Sequence, residues 1–556
     1  MSAPKKEKAP TNKWVLTGGW ANAWKVFAGI GVIGLAGAGA GYATDRERFA
    51  FSWLFAFITV LLPALGALFF VLIQRLTSAG WSVTVRRTAE LFASGVLPLA
   101  ALFIPIIFSM GHLFPWLGSH GGGEHGGGEH AAPTTEHAAP KHSQLGGVTL
   151  IGAAQAQTRE EGSSLTQNAE PGHNLDQGHA PAAASGRADD GHGGGAGTGG
   201  GHGQGTGQGA SHRDTDNGMG GGHGTGAGHG TAGRATHGDS PDGKGHGGGH
   251  GKHAGGHAAG GHAFGPMGDP HHLIHSDTME KKSGYLNKNF FLARVAVYFV
   301  IWIFVAFRML GLSVQQDATK DPELTLKAQR LAPAATFLFA LSLTFAVFDW
   351  VMSLEPAWFS TIFGVAMFAC GVVSSYAIII LVTMSLKNAG PLEGAVNKEH
   401  FHDLGKLMWG FLIFWAYVNF SQFMLIWYAA LPEETTWYHH RWDHGPWAKV
   451  SMAIIIGHFV VPFFWLISRN FKRNLGRLQI GALILLVMHV VDIYWFVMPN
   501  FQVNNQDAFS FHWMDAMCLL AVAGIYGTYV FYRMTKVSLV PVGDPRLERA
   551  LHFQNA

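Results

Sequence analysis

Cysteine and charge are both scarce in this sequence. Its 556 residues include two cysteines, Cys370 and Cys518, and both lie in apolar stretches, which excludes a disulfide framework and a cysteine-based metal site. The chain has no Cys-x-x-Cys-His motif for covalent haem and no cysteine cluster for iron–sulfur. Charged residues make up 13% of the chain, about half the share of an ordinary soluble domain, which excludes a soluble globular enzyme. The formal net charge of +2 gives no indication of nucleic-acid binding.

Long apolar runs fill most of the remaining chain. Stretches of about 20 apolar residues can cross the hydrocarbon core of a membrane as helices. We therefore predict an all-α polytopic membrane protein with ten transmembrane helices: Val26–Ala43, Phe49–Ile73, Ala89–Leu113, Phe290–Leu312, Pro333–Leu354, Phe359–Met384, Leu404–Leu431, Ala448–Ile467, Ile480–Val497 and His512–Phe531. The first run is the weakest because its Gly31–Gly41 half is nearly all glycine and alanine, and a signal peptide is the alternative for it.

The lysines and arginines of the tails and short loops indicate an orientation. Nearly all of them fall on the side of the N-terminus, and the short loops of the other side hold only Arg46, Arg48, Arg441 and Lys449. The positive-inside rule therefore places both termini in the cytoplasm. The predicted organisation is a cytoplasmic tail (1–25), helices one to three (26–117), an outer insert (118–282), helices four to ten (283–533) and a second cytoplasmic tail (534–556).

The insert between the third and fourth helices has a composition of its own. Residues 119–275 hold 21 of the 31 histidines and most of the 75 glycines. Such a segment cannot bury enough apolar surface to offset its chain entropy, so we predict that it is largely disordered. Two interpretations stay open, namely loose binding of Zn, Cu or Ni ions by its imidazoles and a solvated extension with incidental metal affinity. The candidate metal ligands include His246, His250, His253 and His257.

Ionisable side chains inside the predicted helices are candidate functional residues, because charge in hydrocarbon is costly. A rise of about 1.5 Å per residue places His458 roughly 15 Å below the outer end of its helix and His489 roughly 14 Å above the inner end of the next. Asp492 follows His489 by three residues on the same helical face, so that one can hold a proton that the other releases. Nearer the outer surface are Asp349, Glu355, Asp515, His512 and His112. Together they predict a proton relay from the midplane to the outer surface.

Each candidate has a structural alternative. A lone midplane histidine such as His458 is often a hydrogen-bonded packing residue, and Asp349, Asp515 and His512 can snorkel to the interface or cap helices. His458 and His489 could also ligate a b-type haem, although the two histidines on each of two helices that two-haem bundles use are absent.

The stretch Asp349–Gly364 joins the fifth and sixth predicted helices. Asp349 ends one helix, Glu355–Pro356 forces a turn in which Ser353 can bond locally, and Trp358 anchors the next helix at the interface. We predict a tight outer hairpin with two carboxylates at its mouth. These carboxylates either stabilise the hairpin or serve as a proton exit or quinone-mouth group, and the residues leave both interpretations open.

Several stretches resemble a known family. They are Tyr285–Arg294, Asp349–Gly364, Trp415–Tyr417, Phe420–Trp427 and Leu431–Tyr438. With ten helices, the chain resembles the NrfD/PsrC-like membrane subunits of bacterial quinone-linked oxidoreductases, and among them the second large membrane subunit of alternative complex III, the ActF type. The likeness covers about residues 20–535 outside the insert, which departs from the family pattern.

The resemblance implies a fold, an activity and partners. The fold would be two four-helix bundles flanked by two further helices, in the bacterial cytoplasmic membrane with the insert in the periplasm. The complex would oxidise menaquinol or ubiquinol and reduce cytochrome c or a haem–copper oxidase. Its other subunits would be a sister NrfD-like membrane subunit, an iron–sulfur subunit, and multihaem and monohaem cytochromes c.

The resemblance also implies how work is divided in such a complex. The quinol site beside the iron–sulfur subunit is assigned to the sister subunit, and haem c and iron–sulfur clusters belong to partners. This chain would then be a cofactor-free companion that supports proton conduction, although its type is also described as quinone-binding. The alternatives from other classes are a secondary transporter for divalent metal ions, suggested by the His-rich insert, and a purely structural scaffold.

Overall fold

The computed structural model describes residues 14–16, 18–120, 281–442, 445–505 and 511–555. Within this part of the chain it contains ten helices that are long and apolar enough to cross a membrane, which confirms the predicted number of spans. We number them in chain order as the first to tenth spans: Gly18–Thr44, Arg46–Leu76, Val83–Phe108, Lys288–Thr319, Glu323–Leu354, Phe363–Asn388, Lys398–Ala429, Gly445–Ile467, Leu475–Phe501 and Trp513–Met534. The chain is therefore a multi-pass, helical membrane protein.

Short helices cap or connect the spans. The first span opens with a 3₁₀ turn, the ninth helix continues to Asn505, and the loops hold further single turns. These elements are Gly18–Asn22, Met110–Leu113, Pro115–His120, Met352–Leu354, Pro432–Trp442, Arg469–Arg473 and Leu547–Leu551. Consecutive spans alternate in direction. The second span, which ends at Leu76, and the fourth span, which ends at Thr319, therefore finish at the face of the bundle where the first span begins, and we call this face the N-terminal face.

Proline interrupts two of the spans at defined places. The third span is divided into Val83–Ser94, Val96–Leu102 and Ile104–Phe108. Pro98 has no N–H to donate to the carbonyl of Ser94, four residues earlier, which accounts for the first break. In the eighth span, Pro462 likewise cannot donate to the carbonyl of His458, and the preceding turn, Ile455–Val460, is a π-helix. The backbone irregularity thus coincides with a candidate functional residue.

The second span forms the centre of the fold. It packs against the third, fifth, sixth, ninth and tenth spans. In its apolar 18-residue stretch, 89% of the residues are buried inside the protein. A helix that is hydrophobic all round is expected in such a position. The candidate residues His489 and Asp492 of the ninth span therefore belong to a helix that packs against one with little exposure to lipid.

The first and tenth spans approach each other unusually closely. A Cβ atom on Gly34 would lie 2.2 Å from the backbone nitrogen of Ala521, and one on Gly524 would lie 2.4 Å from Gly31. Small residues at such positions let two helix backbones meet, which is a common source of association between helices in membranes. The glycine and alanine content that made the first span look weak in the sequence is the basis of its packing.

The third span begins earlier than the sequence indicates. We expected a helix from Ala89, with Arg86 and Arg87 in an inner loop, but the helix starts at Val83 and both arginines are fully buried. Their charges are neutralised within the protein: Arg86 pairs with Glu90 and with Asp544 of the C-terminal tail. A prediction based on apolar runs ends a span at the first charged residue. It cannot foresee that the charge of Arg86 is paired with a carboxylate 458 residues further along the chain.

This group of buried ions ties the N-terminal face together. Arg87 donates to Glu90 and to Asp317 at the end of the fourth span, and Arg75 of the second span lies 3.4 Å from Glu90. The charges of Arg86 and Arg546 hold the pKa of Asp544 well below its usual value, against the opposing effect of burial. The C-terminal tail is therefore fixed to the second and third spans by the ion pairs of Asp544 with Arg75 and Arg86, and to the fourth by a hydrogen bond from the backbone N–H of Gly543 to Asp317.

Candidate functional site

Five side chains from four spans meet inside the bundle. They are Cys370 of the sixth span, Trp415 of the seventh, His458 of the eighth, and His489 and Asp492 of the ninth, and we call them the His–Asp cluster. Each has 5% or less of its surface exposed. At about 1.5 Å per residue, His489 lies roughly 21 Å from the first residue of its span and roughly 18 Å from the last. The cluster is therefore close to mid-depth, as the sequence predicts for its two histidines.

One carboxylate oxygen is the centre of the cluster. The indole N–H of Trp415 donates to Oδ2 of Asp492 over 3.1 Å, and Sγ of Cys370 lies 3.2 Å from the same oxygen. Nδ1 of His458 lies 3.5 Å from it, within ion-pair distance. Two polar hydrogens thus reach a single oxygen atom of Asp492, and an imidazole nitrogen lies within ion-pair distance of it.

His489 reaches Asp492 through a thiol. Its Nδ1 lies 3.1 Å from Sγ of Cys370, and its Nε2 lies 2.9 Å from the carbonyl oxygen of Thr59 on the second span. The sequence predicts direct exchange between His489 and Asp492, whereas the structure inserts Cys370 between them. Nothing in the apolar run around Cys370 marked it as a functional candidate, because its partners come from a helix more than a hundred residues away.

The contacts of His489 restrict where its proton can be. A carbonyl oxygen only accepts, so Nε2 of His489 must carry the hydrogen that it shares with Thr59, and Nδ1 of the neutral ring is then an acceptor. The thiol of Cys370 has one proton and two acceptors in reach. It donates to Asp492 when that carboxylate is charged and to His489 when Asp492 is protonated.

His458 is placed by stacking rather than by hydrogen bonds. Its ring stacks on the indole of Trp415, with the centroids 4.1 Å apart and the two planes inclined at 28°. Neither ring nitrogen has a hydrogen-bond partner among the described residues, although the side chain is completely buried. An unpartnered buried polar atom costs about 1–3 kcal/mol. Buried polar groups of this kind are uncommon, and a role in proton or ligand binding is one explanation for them.

The three candidate carboxylates near the face opposite the N-terminal face have arginine partners. Asp349 accepts two hydrogen bonds from the guanidinium of Arg294, at 2.8 and 2.9 Å, and a third from Tyr298 at 2.7 Å. Arg294 in turn stacks on the ring of Tyr285 at 3.8 Å. Ser353 bonds locally, as predicted, and the structure identifies the acceptor as the backbone carbonyl of Asp349. This pair joins the fourth and fifth spans as a fixed ion pair.

Asp515 is held in the same manner. It pairs with Arg48 at the start of the second span, and it accepts hydrogen bonds from Ser52 at 2.6 Å and Tyr494 at 3.2 Å. The backbone N–H of His512 also donates to Asp515, so the two residues form a capping box that begins the tenth span. Both expected candidates are therefore neighbours, and both occupy helix-capping positions.

Glu355 and His440 meet near the hairpin. Nδ1 of His440 and a nitrogen of Arg441 each lie 3.8 Å from the carboxylate of Glu355. Burial raises the pKa of Glu355, an effect that Arg441 opposes. Burial, together with the charge of Arg441, lowers the pKa of His440 to about 4, so this imidazole is neutral at pH 7. Glu355 and His440 therefore form no ion pair at neutral pH.

The hairpin is buried by other parts of the protein and does not lie exposed at the membrane interface. Trp358, which the sequence places at the membrane interface, is 2% exposed and stacks on Trp437 at 4.6 Å. The guanidinium of Arg441 also lies over the Trp437 ring, 3.8 Å from its centroid, and donates to the carbonyls of Trp437, Trp495 and Phe496. His112, by contrast, is exposed near the end of the third span. The eight candidates thus fall into separate groups with different partners.

The contacts of the cluster bear on the metal and haem alternatives. Among the described residues, no group of three or more His, Cys, Asp or Glu side chains has the arrangement of a metal site. Both nitrogens of His489 are engaged, with Thr59 and Cys370, so the pairing of His458 with His489 as axial haem ligands does not fit the observed contacts. The insert histidines His246, His250, His253 and His257 lie outside the described residues.

Comparisons with known proteins give no direct assignment. No protein-family model matches the chain, and a search of curated proteins finds no significant match.

Proposed function

We propose that this chain is a cofactor-free membrane subunit of a respiratory quinol:electron-acceptor oxidoreductase of the alternative complex III type, and that its His–Asp cluster handles protons within the membrane. In this proposal the chain lies in the bacterial cytoplasmic membrane with its termini in the cytoplasm and its insert in the periplasm. An iron–sulfur subunit, cytochromes c and a sister NrfD-like subunit hold the redox groups and carry out electron transfer.

The single observation that supports proton handling is the partner of Asp492. Among the described residues, no lysine or arginine nitrogen lies within 4.0 Å of this buried carboxylate, whereas Asp349, Asp515 and Glu90 each have an arginine. The cationic partner available to Asp492 is His458, which can release its proton. A pair of titratable groups can exchange a proton while its total charge stays at zero, which avoids the cost of charge in a membrane.

The chain's own residues then have distinct roles. His458 and Asp492 exchange a proton across the 3.5 Å contact. Cys370 keeps a hydrogen bond in either state by turning its thiol proton toward Asp492 or toward His489. Trp415 holds both partners, since it stacks on His458 and donates to Asp492. His489 is a positioning residue fixed by the carbonyl of Thr59.

Three of the stretches that resemble the family, namely Tyr285–Arg294, Asp349–Gly364 and Leu431–Tyr438, meet near the face opposite the N-terminal face. Arg294 of the first stretch pairs with Asp349 of the second, and Trp358 of the second stacks on Trp437 of the last. Lys282, just before the first stretch, donates to the carbonyl of Pro356. Segments far apart in sequence thus pack together beneath this face, which supports a shared role for them in shaping the part of the chain that would meet the periplasmic subunits.

The proposal is tested in the assembled complex. We expect His458→Gln and Asp492→Asn to leave assembly and quinol binding intact while changing the number of protons moved per electron, measured with pH-sensitive dyes in proteoliposomes. The matched control is Glu393→Gln, which alters an exposed carboxylate in the loop at the N-terminal face. Unchanged proton stoichiometry in both cluster variants would contradict proton handling, and it would leave the subunit assignment to be tested separately.

A further inference from the structure

An apolar groove runs along the outside of the bundle between the first, third and tenth spans. Its volume is about 500 Å³, and its walls are almost entirely apolar. The residues that define its length are Trp24, Ala28 and Leu35 on the first span, and Ile525 and Tyr532 on the tenth. The first and tenth spans are in backbone contact at Gly31 and Gly524, so the floor of the groove is closed.

The length of the groove matches one leaflet of a bilayer. Trp24 and Leu35 are eleven residues apart, which corresponds to about 16 Å along a helix. Half the hydrocarbon core of a typical bilayer is about 15 Å. The groove therefore extends from the interface at the N-terminal face to about the midplane, which is the path of a single acyl chain.

Two lysines stand at the interfacial end of the groove. Nζ of Lys25 lies 5.7 Å from the ring centroid of Trp24, and Nζ of Lys536 lies 4.9 Å from that of Tyr532. Both side chains are exposed, and neither ammonium forms an ion pair with a carboxylate of the described residues. An apolar channel with two free cations at its mouth is complementary to a molecule with an anionic head and a long apolar tail.

We propose that this groove binds one acyl chain of an anionic phospholipid, with the phosphate of the headgroup between Lys25 and Lys536. Basic pockets between transmembrane helices are a recurrent way of holding anionic lipid headgroups. A quinone has an isoprenoid tail that would suit the walls, but its uncharged head gives no role to the two ammonium groups. The inference is independent of the proposed function.

Binding is measured on the full purified chain after exchange into a lipid-free mild detergent. Native mass spectrometry would follow addition of phosphatidylglycerol or phosphatidylcholine with identical acyl chains. We expect one tightly bound phosphatidylglycerol and a clear preference over phosphatidylcholine. Because a basic residue near the surface contributes about 1 kcal/mol to the binding of anionic lipid, the double variant Lys25→Gln, Lys536→Gln should weaken that binding roughly 30-fold. The control Lys327→Gln, at an exposed lysine of the same face away from the groove, should leave it unchanged.

A second variant tests the tail. Ala28→Phe fills the groove and should abolish the bound lipid, whereas Val300→Phe, on the exposed surface of the fourth span, should not. Phosphatidylglycerol with a diazirine on its acyl chain should crosslink to peptides of the first and tenth spans. Equal binding of both lipids, no effect of the lysine changes, or displacement of the lipid by a menaquinone at equal concentration would overturn the proposal. If Ala28→Phe fails to fold, the lysine variants and the crosslinking still decide.

Discussion

Replacing Asp349 by asparagine should destabilise the protein far more than the same replacement at Asp492. Both carboxylates are buried, but their partners differ in whether they can lose their charge. Asp349→Asn leaves the guanidinium of Arg294 buried without its counter-ion, and breaking a buried ion pair in this way costs about 3–5 kcal/mol. Asp492→Asn keeps an oxygen that can accept from Trp415 and Cys370, and His458 can become neutral. We expect a cost of about 1 kcal/mol or less there.

The assay is reversible unfolding in mixed micelles with increasing dodecyl sulfate, followed by circular dichroism or by tryptophan fluorescence. The expected difference between the two variants is roughly 2–4 kcal/mol, which is about 30-fold to 1,000-fold in the unfolding equilibrium constant. The matched control is the double variant Arg294→Met, Asp349→Leu, which removes both charges and should recover most of the lost stability. The reasoning is refuted if Asp492→Asn is as destabilising as Asp349→Asn, since that would reveal a fixed charge beside Asp492.

Three further changes test other parts of the structure. Gly34→Ala should separate the first and tenth spans, because its Cβ would lie 2.2 Å from the backbone of Ala521, and should lower the thermal midpoint, whereas Gly39→Ala meets open space and should not. His440 has a pKa lowered to about 4, so it contributes stability that is present above pH 6.5 and is lost as the pH falls toward 4; His440→Gln should flatten the unfolding free energy over that range. Asp544→Asn deprives the buried Arg75 and Arg86 of a counter-ion, and we expect a loss of about 3–5 kcal/mol together with proteolytic release of the C-terminal tail. Stability equal to wild type in that last variant would contradict the ion-pair account of the N-terminal face.

The number of spans could be read from the sequence because length and hydropathy are local properties. The sequence also predicts that Asp492 and His489 lie near the midplane, since a rise of about 1.5 Å per residue gives the depth of a residue from its position in the helix. The partners could not be found in this way. Cys370 looked like one more apolar residue of the sixth span, and its contact with His489 depends on how the sixth, second and ninth spans pack.

The buried arginines also show that the sequence does not identify the partner of a buried charge. Arg294 and Arg48 are charges at or inside helices, and such a charge requires a partner, so the sequence contained a signal for them. It did not say which carboxylate each would take. Arg86 and Arg87 were assigned to a loop because a hydropathy criterion ends a span at a charged residue. Their burial is possible because their charges are compensated inside the protein by carboxylates such as Glu90 and Asp544.

The central claim is that this chain belongs to a redox complex, and one measurement addresses it directly. The tagged protein would be isolated from its native membrane in mild detergent, and reduced-minus-oxidised spectra would be recorded on whatever accompanies it. The account predicts a c-type haem signal at several haems per chain, contributed by partner subunits because this sequence has no motif for covalent haem. A colourless preparation that contains the intact chain, with partners retained in a mass-spectrometric control, would contradict the account and favour a transporter.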